Sequence, residues 1–192
     1  MLTDLEYDGT RLHWPSNGKT YKATSGLPAD PSKPADPDWR QSQYSCVKDH
    51  GPVPEGTYTF STAVEAKKGL VHVSDWSTCT LSPGAPIQKI PRGADAQEPR
   101  AGGQNCEPYW ANWGTNRVRL EPKDSKTRLA CNPGRSGFYL HDSTKGYSHG
   151  CIEVEPRFFT DLYAFAKTSK GKRLSLGVIY RRQVTQGGTK VP

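Results

Sequence analysis

Long apolar runs are missing from this chain. No stretch of its 192 residues approaches the roughly 20 apolar positions that a membrane-spanning helix needs, which predicts a soluble protein with no membrane insertion. The opening "MLTDLEYDGTRLHW" has no basic segment followed by an apolar run, so it does not read as a secretory signal peptide. Any export is expected to use another route. Familiar catalytic signatures are absent too: there is no G-x-x-x-x-G-K-[ST], G-x-S-x-G or H-E-x-x-H, and no paired-carboxylate pattern of the glycosidase kind. None of the five cysteines lies in a C-x-x-C pair, which argues against a structural zinc site.

What is present is low in hydrophobicity but rich in rings. Only 33% of the residues are hydrophobic, yet five Trp, nine Tyr and five Phe supply large buriable side chains that disordered chains lack. The chain is therefore expected to fold, and its length suits one domain better than two. A net charge of +7 suits a polyanionic partner, whether nucleic acid, an acidic membrane surface or a carboxylate-rich bacterial wall. The basic residues are scattered apart from "KGKR" and "YRR", so a solvated surface accounts for most of them. No recognition-helix or RNA-binding motif supports a nucleic-acid partner.

Cys46, Cys79, Cys106, Cys131 and Cys151 form an odd set, so pairing leaves one thiol over. In an oxidising compartment two disulfides among the first four are expected, with three connectivities open; buried free thiols are the alternative. Cys79 and Cys106 bracket a long loop and are the preferred pair. Cys151 is the leftover thiol.

The alternation of residues predicts a mainly β chain. "LEY" and "TRLHW" flank an Asp8-Gly9 turn, "GTYTFS" and "LVHVSDW" read as strands, and "NRVRLEP", "GFYLHD" and "CIEVE" continue the pattern. Roughly seven or eight short strands are expected. One helix stands out, with Phe158, Phe159, Leu162, Phe165 and Ala166 on one stripe, Pro156 in its first turn and an end near Gly171. Leu174, Leu176, Val178 and Tyr180 share one face of a last strand. The proline-rich segment 26–45 and the Pro/Gly/Ala-rich segment 82–108 read as loops, the second a lid or an insertion. The polar residues 183–192 are expected to fray, leaving 1–182 as the domain.

The chemistry concentrates in "FYLHDSTKGYSHGCIEV", residues 138–154. A free cysteine needs a nearby base or positive charge to react at neutral pH. His149, two residues before Cys151, shares its face in an extended segment; His141, ten residues back, meets Cys151 if "DSTKGYS" connects two adjacent strands. That geometry favours His141 as the base. Gly150 lets the backbone bend so that amides near the thiol point at an oxyanion, and Ser148 is placed to orient a histidine or contact substrate. Two duller readings stand beside this one: a surface turn with a buried inert thiol, and a metal held by His141, His149 and Cys151.

At these residues the sequence resembles the L,D-transpeptidases, the YkuD-like cysteine enzymes of bacterial peptidoglycan, in which a histidine precedes a [ST]-x-G-C-[IV] element. "YDGTRLHW", "ATSG", "GPVPEGTYTF", "NWGTNRVRL" and "RSGFYLH" follow the order expected of the branch delivered as type VI secretion effectors. The resemblance implies a single-domain β-sandwich or barrel with one amphipathic helix after the cysteine and long surface loops. It makes Cys151 the nucleophile, His141 its base, and Ser148 and Gly150 parts of the catalytic turn. His149 is supporting, and Arg135 and Tyr139 are candidates to meet substrate carboxylates or line the cleft. Two positions depart from the family: Asp142 replaces a glycine after the histidine, where it could orient His141 or cap a turn, and Glu153 replaces an arginine after the cysteine.

The implied reaction is thiolate attack on the L-centre of diaminopimelate in a stem tetrapeptide, releasing D-alanine, with no metal or organic cofactor. The implied partners are peptidoglycan stem peptides, a type VI secretion component and a cognate immunity protein, with action in the periplasm of a target bacterium. An endogenous wall transpeptidase and a non-catalytic wall- or polyanion-binding module are the rival expectations.

Overall fold

The Asp8-Gly9 turn sets the first hairpin. Asp8 Oδ1 accepts the backbone N–H of Thr10 at 2.8 Å and of Arg11 at 2.7 Å, and Gly9 turns at φ 106°. Around it strands β1 (Leu5–Tyr7) and β2 (Arg11–Trp14) pair antiparallel. A computed structural model describes the chain over residues 2–65, 71–72, 79–81, 83–84, 86–97, 104–169 and 171–192. The strands that follow are β3 (Lys19–Ser25), β4 (Gly56–Ser61), β5 (Val71–His72), β6 (Thr80–Leu81), β7 (Gln88–Lys89), β8 (Asn116–Arg119) and β9 (Glu121–Pro122). After helix α1 (Ser125–Arg128) come β10 (Tyr139–His141), β11 (Ile152–Val154), helix α2 (Arg157–Thr168) and β12 (Arg173–Val178).

Among the described residues, ten strands form one sheet in the order β7-β8-β10-β11-β3-β2-β1-β12-β4-β9, and β5 pairs with β6. Strands β8 and β9 lie toward opposite ends of that order, yet only Leu120 separates them in sequence. The sheet therefore curls until its ends approach, and Leu120 is the buried corner, its N–H donating to the Phe138 carbonyl at 2.8 Å. The mainly β architecture matches expectation. Strands outnumber the predicted seven or eight because several are two residues long, too short for alternation to register. Helix α1, unforeseen, is capped by Asp124, which accepts the Thr127 N–H at 2.7 Å.

Alternation along the strands builds the core. Leu5, Tyr7, Leu12, Trp14, Tyr58, Phe60, Leu140, Ile152, Val154, Leu174, Leu176 and Val178 are all buried in it. Helix α2 covers one side with Phe158, Phe159, Leu162 and Ala166, while Phe165 is partly buried. The Phe158 ring stands 5.3 Å from Tyr21 and 6.0 Å from Trp14. Each such phenylalanine contributes roughly 2–3 kcal/mol by leaving water.

Two loop expectations need correction. The segment 82–108 is no bare loop in its described parts: it carries β7 and a 3-10 turn at Gly93–Ala96, and Ile87, Ile90 and Ala96 are buried. Ile90, Ala96, Cys79, Leu81, Cys106 and Trp110 form a second small core, and Trp110 Nε1 donates to the Cys79 carbonyl at 2.7 Å. Most of the predicted strand "LVHVSDW" lies outside the described residues, which give Val71–His72 alone.

The second correction is the end of the chain, which docks instead of fraying. Thr185 and Thr189 are buried, Thr185 exchanges backbone and side-chain hydrogen bonds with Ser25, and the Gly187 N–H donates to Thr24 Oγ1 at 2.9 Å. A Cβ on Gly187 would collide with the carbonyls of Thr10 and Ala23, so this position accepts only glycine. The polar threonines are buried because their hydroxyls find partners, not because they are apolar.

Candidate active site

The register of β10 and β11 builds the site. These strands are parallel, with Leu140 opposite Ile152 and His141 opposite Glu153. Leu140, Ile152 and Val154 all belong to the core, so alternation sends Tyr139, His141, Cys151 and Glu153 to the other face. Cys151 enters β11 beside Tyr139 and one diagonal step from His141. Cysteine and histidine line one cavity of about 60 Å³ together with Asn112, Trp113, Tyr147, Ser148 and His149.

Cys151 is half-buried and is the free thiol; the other four cysteines pair as Cys46–Cys131 and Cys79–Cys106. The preferred pair thus forms, and the odd thiol is the expected one. Burial pushes the Cys151 thiol up to about 11, against the Tyr139 backbone N–H and the charges of Arg117 and Arg135, which pull it down. His141 is 2% exposed, and burial, then Arg117 and His149, hold its imidazole down to about 3. Both shifts favour the uncharged forms, a neutral thiol and a neutral imidazole lining one cavity. His141 Nδ1 has no hydrogen-bond partner among the described residues, and the Trp113 ring stands edge-on at 5.6 Å.

Arg117 escaped the sequence reading. It lies opposite His141 in the antiparallel β8–β10 pair, buried, with its guanidinium 4.6 Å from the ring centres of both Trp113 and Tyr139. Its Nε donates to Gln88 Oε1 at 2.8 Å. The alternation of "NRVRL" indicated a strand, but only the pairing partner reveals which face the arginine takes.

The turn into the cysteine is held from several sides. Gly150 adopts φ 107°, and a Cβ there would collide with the Arg135 guanidinium and stand 3.1 Å from the Gly51 carbonyl. Ser148 Oγ donates to the Cys151 carbonyl and accepts the Gly26 N–H at 3.2 Å. Ser25, also missed as a site residue although it lies in "ATSG", donates to the same Cys151 carbonyl at 2.7 Å. Both serines fix the turn's backbone.

The expected roles of Arg135 and Tyr139 change, and of the two expected for Asp142 one is found. Arg135 donates to the carbonyls of Ser45, Gly51 and Pro52 and lies 5.1 Å from the Phe138 ring centre, so it clamps the turn instead of waiting for substrate. Tyr139 is buried against Trp113 at 5.0 Å and does not line the cavity. Asp142 caps a turn: its carboxylate accepts the N–H groups of Thr115 at 2.6 Å and Asn116 at 2.8 Å, plus the Asn116 amide. Burial raises its carboxyl above the usual range. Glu153 is fully buried and accepts from Ser143 Oγ, Lys145 N, Gly146 N and Thr189 Oγ1. His149 remains exposed on the cavity rim, its Nδ1 3.3 Å from the Asp49 carbonyl. No group of three or more His, Cys, Asp or Glu able to hold a metal occurs among the described residues.

Comparison with protein-family models matches residues 7–191 to YkuD, the L,D-transpeptidase catalytic domain. The chain belongs to this family. It is thereby placed among the peptidoglycan-modifying L,D-transpeptidases, and the match takes in the docked tail as far as residue 191 and all of the curled sheet except Leu5 and Glu6 at the start of β1. A search of the curated proteins finds no match. Within this L,D-transpeptidase domain, Arg117, Ser25 and the tail are the parts that a reading of local motifs did not reach.

Proposed function

We propose that the protein is a cysteine-dependent enzyme that trims peptidoglycan stem tetrapeptides, and that it serves as an antibacterial effector delivered by type VI secretion into the periplasm of a target cell. The observation that carries the chemistry is that Cys151, the free thiol, and His141 line one cavity. In the first half-reaction Cys151 Sγ adds to the carbonyl on the L-centre of diaminopimelate. His141 takes the thiol proton and passes it to the leaving nitrogen, so D-alanine departs as an amine and a thioester remains. In the second, His141 takes a proton from water; the hydroxide oxygen adds, the C–S bond breaks, and the proton returns to sulfur. The tripeptide acid leaves and the thiol is restored.

This reading puts L,D-carboxypeptidase and exchange activities before cross-linking, because both remove the donor stems that a target cell's own cross-linking would use. Two disulfides suit an oxidising workplace such as the periplasm. The effector role rests on the ordered segments shared with that branch, and it brings with it a secretion-apparatus component and an immunity protein that plugs the cleft.

The decisive experiment incubates purified muropeptides with wild type and Cys151→Ala and reads products by mass. Tetrapeptide shortened by one D-alanine, or carrying an exchanged D-amino acid, is expected for wild type only. Unchanged tetrapeptide with an alkylatable Cys151 would leave a non-catalytic wall-binding module. Dimers as the main product would point to wall cross-linking.

A further inference from the structure

The cationic groups around the thiol are not equally available. Arg117 is packed between two rings and bonded to Gln88, and Arg135 is spent on three backbone carbonyls. Lys145 differs. Its side chain leaves the loop 143–149, and Nζ donates to Oδ1 of Asn112, a neutral and exposed residue that lines the cavity. The root of this lysine is fixed: its own N–H donates to Glu153 Oε2 at 2.9 Å, and the next N–H, from Gly146, donates to Glu153 Oε1 at 2.7 Å. Only the ammonium can exchange partners without moving the backbone.

We infer that Lys145 is a specificity-determining residue, whose ammonium leaves Asn112 to bind the terminal carboxylate of the donor stem peptide. The inference rests on the proposed stem-peptide chemistry and deepens it. In such a donor the leaving D-alanine carries its carboxylate two bonds beyond the scissile nitrogen, so a carbonyl at Cys151 sets the anion at the mouth of the cavity. The lining there, Trp113, Tyr147 and the exposed His149 among it, holds no lysine or arginine to balance a negative charge. Replacing the neutral Asn112 oxygen by a carboxylate turns a bond with one ionised partner into an ion pair in which both partners carry charge. The exposed Asn112 amide returns to water at little cost.

This assignment also gives a physical use to the carboxylate two residues after the nucleophile. Glu153 does not meet substrate; it fixes the backbone from which the substrate-binding cation extends.

The test compares two synthetic donors, a tetrapeptide ending in D-alanine and the same peptide ending in D-alaninamide, with wild type, Lys145→Met, Lys145→Arg and Cys151→Ala. Wild type is expected to prefer the free acid by roughly 10- to 100-fold in kcat/KM, the range of a hydrogen bond to a charged group. Lys145→Met should lose most of that preference through a higher KM for the acid, with amide turnover unchanged, and Lys145→Arg should keep it. Because a misfolded variant loses both donors alike, the ratio is insensitive to fold damage. A Lys145→Met enzyme with the wild-type ratio, or a wild type with no preference, overturns the inference while leaving the cysteine chemistry standing. A wild type that cleaves neither donor overturns the proposed reaction, and this inference falls with it.

Discussion

His141 and Glu153 stand opposite each other on neighbouring parallel strands, yet the imidazole lines the cavity while the carboxylate is sealed under the loop that joins the two strands. The same register that brings His141 to the thiol's cavity also supplies a carboxyl group that gathers residues 143–146 and Thr189 around one point. Glu153 is thus the meeting place of the catalytic loop and the docked tail.

Replacing Glu153 with alanine leaves the N–H groups of Lys145 and Gly146 and two hydroxyls without their acceptor. A buried donor without a partner costs about 1–3 kcal/mol, so Glu153→Ala is expected to lose about 3 kcal/mol of unfolding free energy in urea titration. Thr189→Val, which removes one of the four contacts, should lose about 1 kcal/mol. Equal and negligible losses in both would show that the tail and loop are held by something else.

The disulfides act on different parts of the molecule. Cys46–Cys131 closes a separation of 85 residues and joins the segment whose carbonyls receive Arg135 to the chain leading into Arg135 itself. Cys79–Cys106, with a separation of 27, closes the small second core. The chain-entropy relation assigns them about 4.5 and about 3.5 kcal/mol. Cys46→Ser/Cys131→Ser is therefore expected to lower both stability and kcat, whereas Cys79→Ser/Cys106→Ser lowers mainly stability; denaturation curves and initial rates on stem peptide distinguish them.

Much of this was legible from local pattern. The Asp8-Gly9 hairpin, the stripe of α2 and the odd cysteine each depend on a few neighbouring residues, and the structure has all three. The missed features depend on partners far along the chain. Thr185 is buried by bonding to Ser25, 160 residues away, and no periodicity announces such a contact. Arg117 becomes part of the site only because β8 pairs with β10 in a register that opposes it to His141. Asp142 and Glu153 stood out as departures from a motif, but their roles turn on which amides face them, and those amides belong to Thr115, Asn116, Lys145 and Gly146.

Acid stability should report His141. Its imidazole stays neutral in the folded protein down to about 3, whereas an ordinary imidazole protonates near 6.5, so between these values the unfolded chain binds the extra proton. Stability is full above pH 6.5 and falls toward pH 3, by up to about 1.4 kcal/mol per pH unit. Asp142, raised by burial, works in the opposite direction. The useful quantity is therefore the difference between wild type and His141→Gln, which keeps Asp142. The variant is expected to flatten the acid slope; identical slopes would mean that His141 is already charged in the folded state.

The same electrostatics set the thiol apart from a preformed thiolate–imidazolium pair. With the Cys151 thiol raised to about 11 and His141 neutral, alkylation by iodoacetamide should be slow at neutral pH and climb roughly tenfold per pH unit as the thiolate fraction grows, bending only near the thiol's own value. A preformed ion pair would instead give a plateau from acid pH upward. Arg117 and Arg135 both favour the thiolate, so removing one cation must move the bend to higher pH. Arg117→Met is expected to do this, and Arg117→Lys, which keeps the charge, to restore most of the wild-type profile. A bend that stays put in Arg117→Met would show that the guanidinium between Trp113 and Tyr139 only packs the floor of the site. A plateau in wild type would show that catalysis starts from a charged pair, and the neutral resting state argued for the candidate site would have to be abandoned.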